Sequence, residues 1–244
     1  MKSVGILGLG RFGSFWSTVL SHGYTVYGYN RSPLENPPCP LVSLEELCKL
    51  PVVFICVAMR SVSAVLERIA PLLAPGTLVV DTCSVKVVPV RWMRQYLPES
   101  VELLATHPMF GPESAKEGIV GLPLMMYPVR TEEPRYNEWK HYFQSLGIMV
   151  VEMTPEEHDR QAAMSQALTH MIGQTLSRMK IEETPIGTLW YRKLLAICRQ
   201  VEKDSNELFY DMQNLNPYAA GMRHDFEKTW QKVCDSLTDA DNHG

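Results

Sequence analysis

Imidazole is the side chain whose charge changes near neutral pH, and this chain places one where the backbone is stiff. The stretch Thr106-His107-Pro108-Met109-Phe110-Gly111-Pro112-Glu113-Ser114 follows a short apolar run, residues 101–105, and its prolines and glycine forbid that strand from continuing. His107 is therefore expected at a rigid strand end with its ring facing a cleft, placed to move a proton. A second polar group, Ser84, stands in Asp81-Thr82-Cys83-Ser84-Val85-Lys86, just past the apolar run 77–80. A hydroxyl there either reaches the reacting centre or caps the following helix, and Asp81 either joins it or sits in a turn. A third polar set shares one helical face: Gln166 and His170 each fall within about 20° of Asp159 at about 100° per residue. His158 lies off that stripe and reads as a capping-turn or domain-interface residue.

The anion-binding chemistry is at the other end of the chain. An apolar run, residues 3–7, leads into Gly8-Leu9-Gly10-Arg11-Phe12-Gly13 and then into a helical pattern with Phe12, Phe15, Trp16, Val19 and Leu20 on one face. In such a strand, turn and helix the first two glycines allow a tight turn and close approach of a pyrophosphate. The third lets helix and strand pack closely, and the helix N-terminus favours the negative charge. Gly8, Gly10, Arg11, Phe12 and Gly13 are the expected cofactor contacts, with Ser84 beside the nicotinamide. Where an acid usually holds the ribose hydroxyls, about 20 residues on, the chain has Asn30-Arg31-Ser32. Arg31 can pair with a 2′-phosphate, and Asn30 and Ser32 can donate to its oxygens, so NADP is expected rather than NAD.

These groups need a scaffold of alternating strands and helices. Strand patterns at residues 24–29, 52–57, 77–80, 101–105, 123–127 and 148–152 alternate with helical patterns up to residue 152. That pattern specifies a Rossmann-type doubly wound α/β sheet of order 3-2-1-4-5-6, in which the strands before Ser84 and His107 are neighbours. Residues 33–40 are a proline-rich surface loop. From Thr154-Pro155-Glu156-Glu157, a capping box with proline at the first helical position, only helices follow. They are expected to run to about residue 179, from 184 to about 203, from 204 to 215, and from 216 to about 237. The expected domains are thus 1–152, binding NADP, and 153–244, a small all-helical domain for substrate and dimerisation. Leu189, Trp190, Leu194, Leu195, Ile197, Leu208 and Phe209 are too apolar for so short a helical segment, so a homodimer is expected to complete its core.

Composition narrows the partners. A chain of 244 residues, 45% hydrophobic, needs neither disulfide nor metal to fold, and no metal site is expected. A formal charge of -4 without a basic run argues against nucleic acid or an anionic membrane surface and leaves a small-molecule substrate. Six cysteines without a CxxC pair, no signal peptide and no membrane-length apolar run are the pattern of a cytoplasmic protein.

The glycine turn, Asp81-Thr82-Cys83-Ser84-Val85-Lys86, the His107 segment, His158-Asp159 and Ser165-Gln166-Ala167-Leu168-Thr169-His170, in that order, resemble the prephenate/arogenate dehydrogenase family. The resemblance spans essentially the whole chain. It implies an NADP-dependent oxidoreductase of tyrosine biosynthesis with a helical dimerisation domain, with His107 catalytic, Ser84 its partner beside the nicotinamide, and His170 with Gln166 on the substrate. One position departs from the bacterial prephenate pattern: Gln200 stands where an arginine for a substrate carboxylate is usual, and Arg199 would point about 100° away. Gln200 and Glu113-Ser114-Ala115-Lys116-Glu117-Gly118 look more like the plant arogenate enzymes, with Glu117 as the acid that would select an amine. Arogenate is therefore slightly favoured over prephenate. Two other classes share the first domain: a β-hydroxyacid or imine-reducing oxidoreductase, which would not need His107, and a non-enzymatic NADP sensor, which could lose His107 and Ser84.

Overall fold

The computed structural model describes residues 2–241. The chain divides into two compact units, one ending at His158 and one beginning at Asp159. The first is built on strands β1 (Ser3–Leu7), β2 (Thr25–Tyr29), β3 (Val52–Ile55), β4 (Leu78–Asp81), β5 (Glu102–Pro108), β6 (Pro123–Arg130) and β7 (Met149–Glu152). They form one sheet of order β2-β1-β3-β4-β5-β6-β7. From β2 to β5 all pairs are parallel, β6 runs antiparallel to β5, and β7 parallel to β6.

The expected order 3-2-1-4-5-6 is corrected by this arrangement. Among the described residues no strand adds outside β2, because the segment after it carries Pro33, Pro37, Pro38 and Pro40, which lack the N–H a ladder needs. The segment makes only an isolated bridge between Gly28 and Leu41. The strand order reverses between β1 and β3, which puts the switch point beside the glycine turn. β4 and β5 are neighbours as expected, with Asp81 opposite Ala105.

Strands β3 and β4 are buried along their whole length, as parallel strands covered on both faces must be, and their residues are correspondingly a run of Val, Leu, Ile and Phe. The covering helices are α1 (Arg11–Leu20), α2 (Leu44–Leu47), α3 (Val62–Ile69), α4 (Val87–Tyr96) and α5 (Glu133–Ser145). Trp16 of α1, Phe54 of β3, and Trp139 and Phe143 of α5 form the aromatic centre of the core, with Trp16 and Phe143 ring centroids 5.6 Å apart and Phe54 and Trp139 5.2 Å apart.

The remaining elements are helical. α6 (Pro155–Ala162) starts on the expected capping box: Thr154 Oγ1 accepts from the Glu157 N–H at 3.2 Å and Glu157 Oε2 accepts from the Thr154 N–H at 2.9 Å. The division between units falls inside α6 rather than at residue 152. A π-helical turn, Ala163–Ala167, joins it to α7 (Leu168–Arg178). Then come α8 (Leu189–Lys203), α9 (Asn206–Leu215) and α10 (Ala219–Asp241), the first two capped by Thr188 and Ser205. α8 starts later than expected because residues 184–187 form a separate turn closed by the Gly187 N–H on the Thr184 carbonyl. α7 and α8 approach closely at Gly173, where a Cβ would lie 2.9 Å from both methyls of Val201. Among the described residues no helix is long and apolar enough to cross a membrane.

Candidate active site

The glycine turn follows β1. Gly8 has φ +99°, and a Cβ there would meet the Cys56 carbonyl oxygen at 2.7 Å; a Cβ on Gly13 would lie 1.9 Å from the Gly8 carbonyl oxygen. Both glycines are thus required by the fold itself. Gly10 is different: a Cβ would find no protein atom within 4 Å. The open space over Gly10, at a helix start with no side-chain cap, is what a pyrophosphate would fill. The Phe12 ring stacks on Trp16 at 5.7 Å, which leaves its backbone as its contribution to a cofactor site. Exposed Arg11 pairs with Glu113 at 3.0 Å.

Asn30 has a role not expected from its type alone. Its Oδ1 accepts from the Leu9 N–H at 3.0 Å and its Nδ2 donates to the Ser32 carbonyl at 2.9 Å. The side chain therefore clamps the glycine turn to the end of β2, and that clamp, rather than a phosphate contact, is what this geometry assigns it. Arg31 is exposed and makes no ion pair among the described residues, so its guanidinium is open to an anion.

At the ends of β4 and β5 lies a buried polar network. The Lys86 ammonium, wholly buried, donates to both carboxylate oxygens of Asp81, at 2.6 and 2.7 Å, and to the Thr106 carbonyl at 2.5 Å. Thr106 Oγ1 donates to the Asp81 carbonyl at 2.6 Å, and Asp81 Oδ1 also accepts the Cys83 N–H at 2.8 Å. The pair thus ties the residue before His107 to the turn that carries Ser84. Phe110, 6.2 Å from both Phe15 and Trp16 by ring centroids, anchors the other side of the His107 segment to α1.

His107 itself is 2% exposed, and the expectation that its strand stops at residue 105 is corrected: β5 continues to Pro108, with His107 opposite Met125 of β6. Pro108 is tolerated at the end of the ladder, where its missing N–H breaks no pairing. His107 Nδ1 lies 2.8 Å from Nε2 of buried His158, at the first turn of α6. Burial first, then the neighbouring His158 and Lys86, hold the His107 imidazole well below its ordinary value, so it is neutral at pH 7. Its Nε2 has no hydrogen-bond partner among the described residues, and neither has the half-buried Ser84 hydroxyl. The neutral imidazole thus has one ring nitrogen engaged by His158 and the other without a partner among the described residues.

In the helical unit the expected stripe is broken. The Leu168 N–H reaches the Ala163 carbonyl, five residues back, so a wide turn with other than uniform α-helical spacing lies between Asp159 and His170. Asp159 is instead fully buried, its carbonyl accepting from Asn216 Nδ2 at 2.8 Å. Gln166 Oε1 is buried with no partner among the described residues. His170 Nε2 lies 3.8 Å from Asp204 Oδ2; burial lowers the imidazole from its ordinary value and Asp204 partly offsets that.

A family model, the nucleotide-binding domain of prephenate dehydrogenase, matches residues 40–152, and a second, the TYRAAT1-like C-terminal domain, matches residues 175–244. Arogenate dehydrogenase 2, chloroplastic, of Arabidopsis thaliana is 34% identical over 244 residues, covering 94% of this chain and 68% of that protein. The chain belongs to the prephenate/arogenate dehydrogenase family. Arogenate dehydrogenase 1, chloroplastic, of the same plant is also 34% identical, but the chain spans only 38% of its length. The fold agrees with that of prephenate dehydrogenase from A. aeolicus in complex with hydroxyphenyl propionate and NAD+, at a TM-score of 0.78 and 19% identity over 98% of this chain and 91% of that one. This family member is accordingly an oxidoreductase with a nicotinamide cofactor.

Of the residues singled out from the dehydrogenase's sequence, the first unit gathers Gly8, Gly10, Gly13 and Asn30 at one turn, and sets Ser84 just past β4 and His107 near the end of neighbouring β5. Glu117 is exposed on the loop after β5, and it is Glu113 that pairs with Arg11 and, at 2.8 Å, with Lys116. Gln200 is exposed on α8, where adjacent Arg199 pairs with Glu183. Lys86 and His158 were missed as parts of the His107 environment. An acid and a lysine five apart straddling a strand end is a signal for the first; nothing local signals the second.

Proposed function

We propose that this dehydrogenase oxidatively decarboxylates arogenate to tyrosine with NADP, with His107 as the base. The observation that carries the reading is the neutral, buried imidazole of His107, oriented through Nδ1 and open at Nε2. The bound nicotinamide supplies a hydride acceptor. The substrate ring bears a hydroxyl opposite a quaternary carbon with a carboxylate. Nε2 of His107 takes the hydroxyl proton while the hydrogen on that carbon leaves as hydride, and the carbonyl so formed accepts the electron pair when CO2 departs. The ring becomes aromatic and the proton returns to the phenol oxygen. Ser84, without a hydrogen-bond partner among the described residues, is the hydroxyl proposed to bond the same oxygen or the nicotinamide amide.

Arogenate differs from prephenate by an ammonium in place of a keto oxygen, so a site that selects it offers an anion. Glu117, exposed on the loop after β5, is the acid for that role. Specificity constants for arogenate and prephenate, measured on one preparation, test this. Arogenate is expected to be preferred, and Glu117→Gln to remove most of the preference. An enzyme that prefers prephenate, unaltered by that change, has another selecting group and another substrate.

The cofactor reading rests on exposed Arg31 and on Asn30 in place of an acid after β2. NADP is expected to bind more tightly than NAD, and Arg31→Ala to cost NADP about 1.5 to 3 kcal/mol while leaving NAD unchanged, since a charge-assisted phosphate bond is lost. Equal affinities in the unaltered protein overturn the assignment. A homodimer through the helical unit is supported by exposed apolar side chains on α8 (Leu189, Trp190, Leu194) and α10 (Phe226, Trp230, Leu237), with Trp190 70% exposed.

A further inference from the structure

Two buried imidazoles share one hydrogen bond, His107 Nδ1 to His158 Nε2 at 2.8 Å, with ring centroids 5.0 Å apart and planes at 69°. A single proton occupies that bond, and its owner decides what the other nitrogens can do. If His158 donates, the His107 proton sits on Nε2, which then has no lone pair for a substrate hydroxyl. If His107 donates, Nε2 keeps the lone pair. We propose that His158 is a positioning residue: it accepts the Nδ1–H of His107 and thereby holds the tautomer whose Nε2 is the base. The proposal rests on the reading of His107 as proton acceptor given above.

The local structure makes His158 suited to this. Its own N–H donates to the Thr154 carbonyl at 2.9 Å, and the Thr154 and Glu157 capping box starts the helix at that point, so its backbone is fixed relative to the strand β7 just before it. When His107 gains a proton its Nδ1–H bond becomes charge-assisted and strengthens, so the contact stabilises the charge where it develops. A carboxylate in the place of His158 would strengthen this further, but it would also draw a proton onto His107 before substrate arrives. An imidazole nitrogen carries no negative charge, so as acceptor it orients the base without that pull.

The experiment is nitrogen-15 NMR of the histidine rings in the NADP-bound enzyme, combined with steady-state kinetics. Seven histidines are present, and His107→Asn assigns the relevant signals. Expected in the unaltered enzyme is a pyrrole-type Nδ1 and a pyridine-type Nε2 on His107. His158→Leu should lose that pattern and lower kcat by about 10- to 100-fold, less than removal of the base itself, with both KM values little changed. His158→Gln, whose amide oxygen can still accept, should restore the pattern and most of kcat. An Nε2–H tautomer in the unaltered enzyme overturns the proposal, and so does full turnover in His158→Leu while His107→Asn is inactive. If instead His107→Asn turns over normally, the reading of His107 as base has failed, and the ring signals still decide whether His158 accepts or donates.

Discussion

Replacing His107 with asparagine lowers turnover by about two to four orders of magnitude and leaves cofactor affinity close to that of the unaltered enzyme, which is the range that positioned general bases contribute. Asparagine fills much of the same space and can keep a hydrogen bond toward His158, so the expected loss is one of proton acceptance rather than of fold. The glycine turn, whose geometry depends on Gly8, Gly13 and Asn30, is untouched by the change. The pH profile supplies a second readout. Because burial and the neighbouring His158 and Lys86 lower the imidazole, its basic form persists well below the ordinary histidine value of about 6.5. The acid limb of kcat should therefore lie below that value, with activity falling as His107 gains a proton, and it should vanish in His107→Asn. Near-normal turnover in the variant, or a limb at or above the ordinary value, removes His107 from the role.

The second large effect is on stability. Lys86→Met should destabilise the first unit by about 3 to 5 kcal/mol, because it leaves the Asp81 carboxylate buried without its counter-charge. Both side chains are almost wholly enclosed, and the Asp81 carboxylate then retains only the Cys83 N–H among the described residues. Lys86 also holds the Thr106 carbonyl, so the end of β5 loses one of its ties to the turn after β4 in the same step, while the Thr106 hydroxyl still donates to the Asp81 carbonyl. Asp81→Asn combined with Lys86→Met should recover much of the loss, since no buried charge then remains. Urea unfolding of the single and double variants measures this. A Lys86→Met protein as stable as the unaltered one shows that the pair is solvated or replaceable, and the network is then not what holds His107 in place.

What the sequence by itself determined is what depends on neighbours along the chain. The turn at Gly8, Gly10 and Gly13, the capping box at Thr154 and Glu157, and the buried runs of β3 and β4 follow from backbone geometry and hydrophobic pattern over a few residues. The order of the motifs carried the family, because it records that linear arrangement directly. Tertiary structure alone decided the partners. His107 and His158 are 51 residues apart, Lys86 and Thr106 are 20 apart, and Leu9 and Asn30 are 21 apart. Each contact is made only after strands and helices have packed, so no local propensity encodes it. The π turn at residues 163–167 belongs with these, since it interrupts the uniform helical spacing from which the shared face of Asp159, Gln166 and His170 was expected. The difference has one physical cause: hydrogen bonds within a turn are set by neighbouring dihedral angles, whereas the pairing of distant polar side chains is set by which surfaces the buried apolar core brings together.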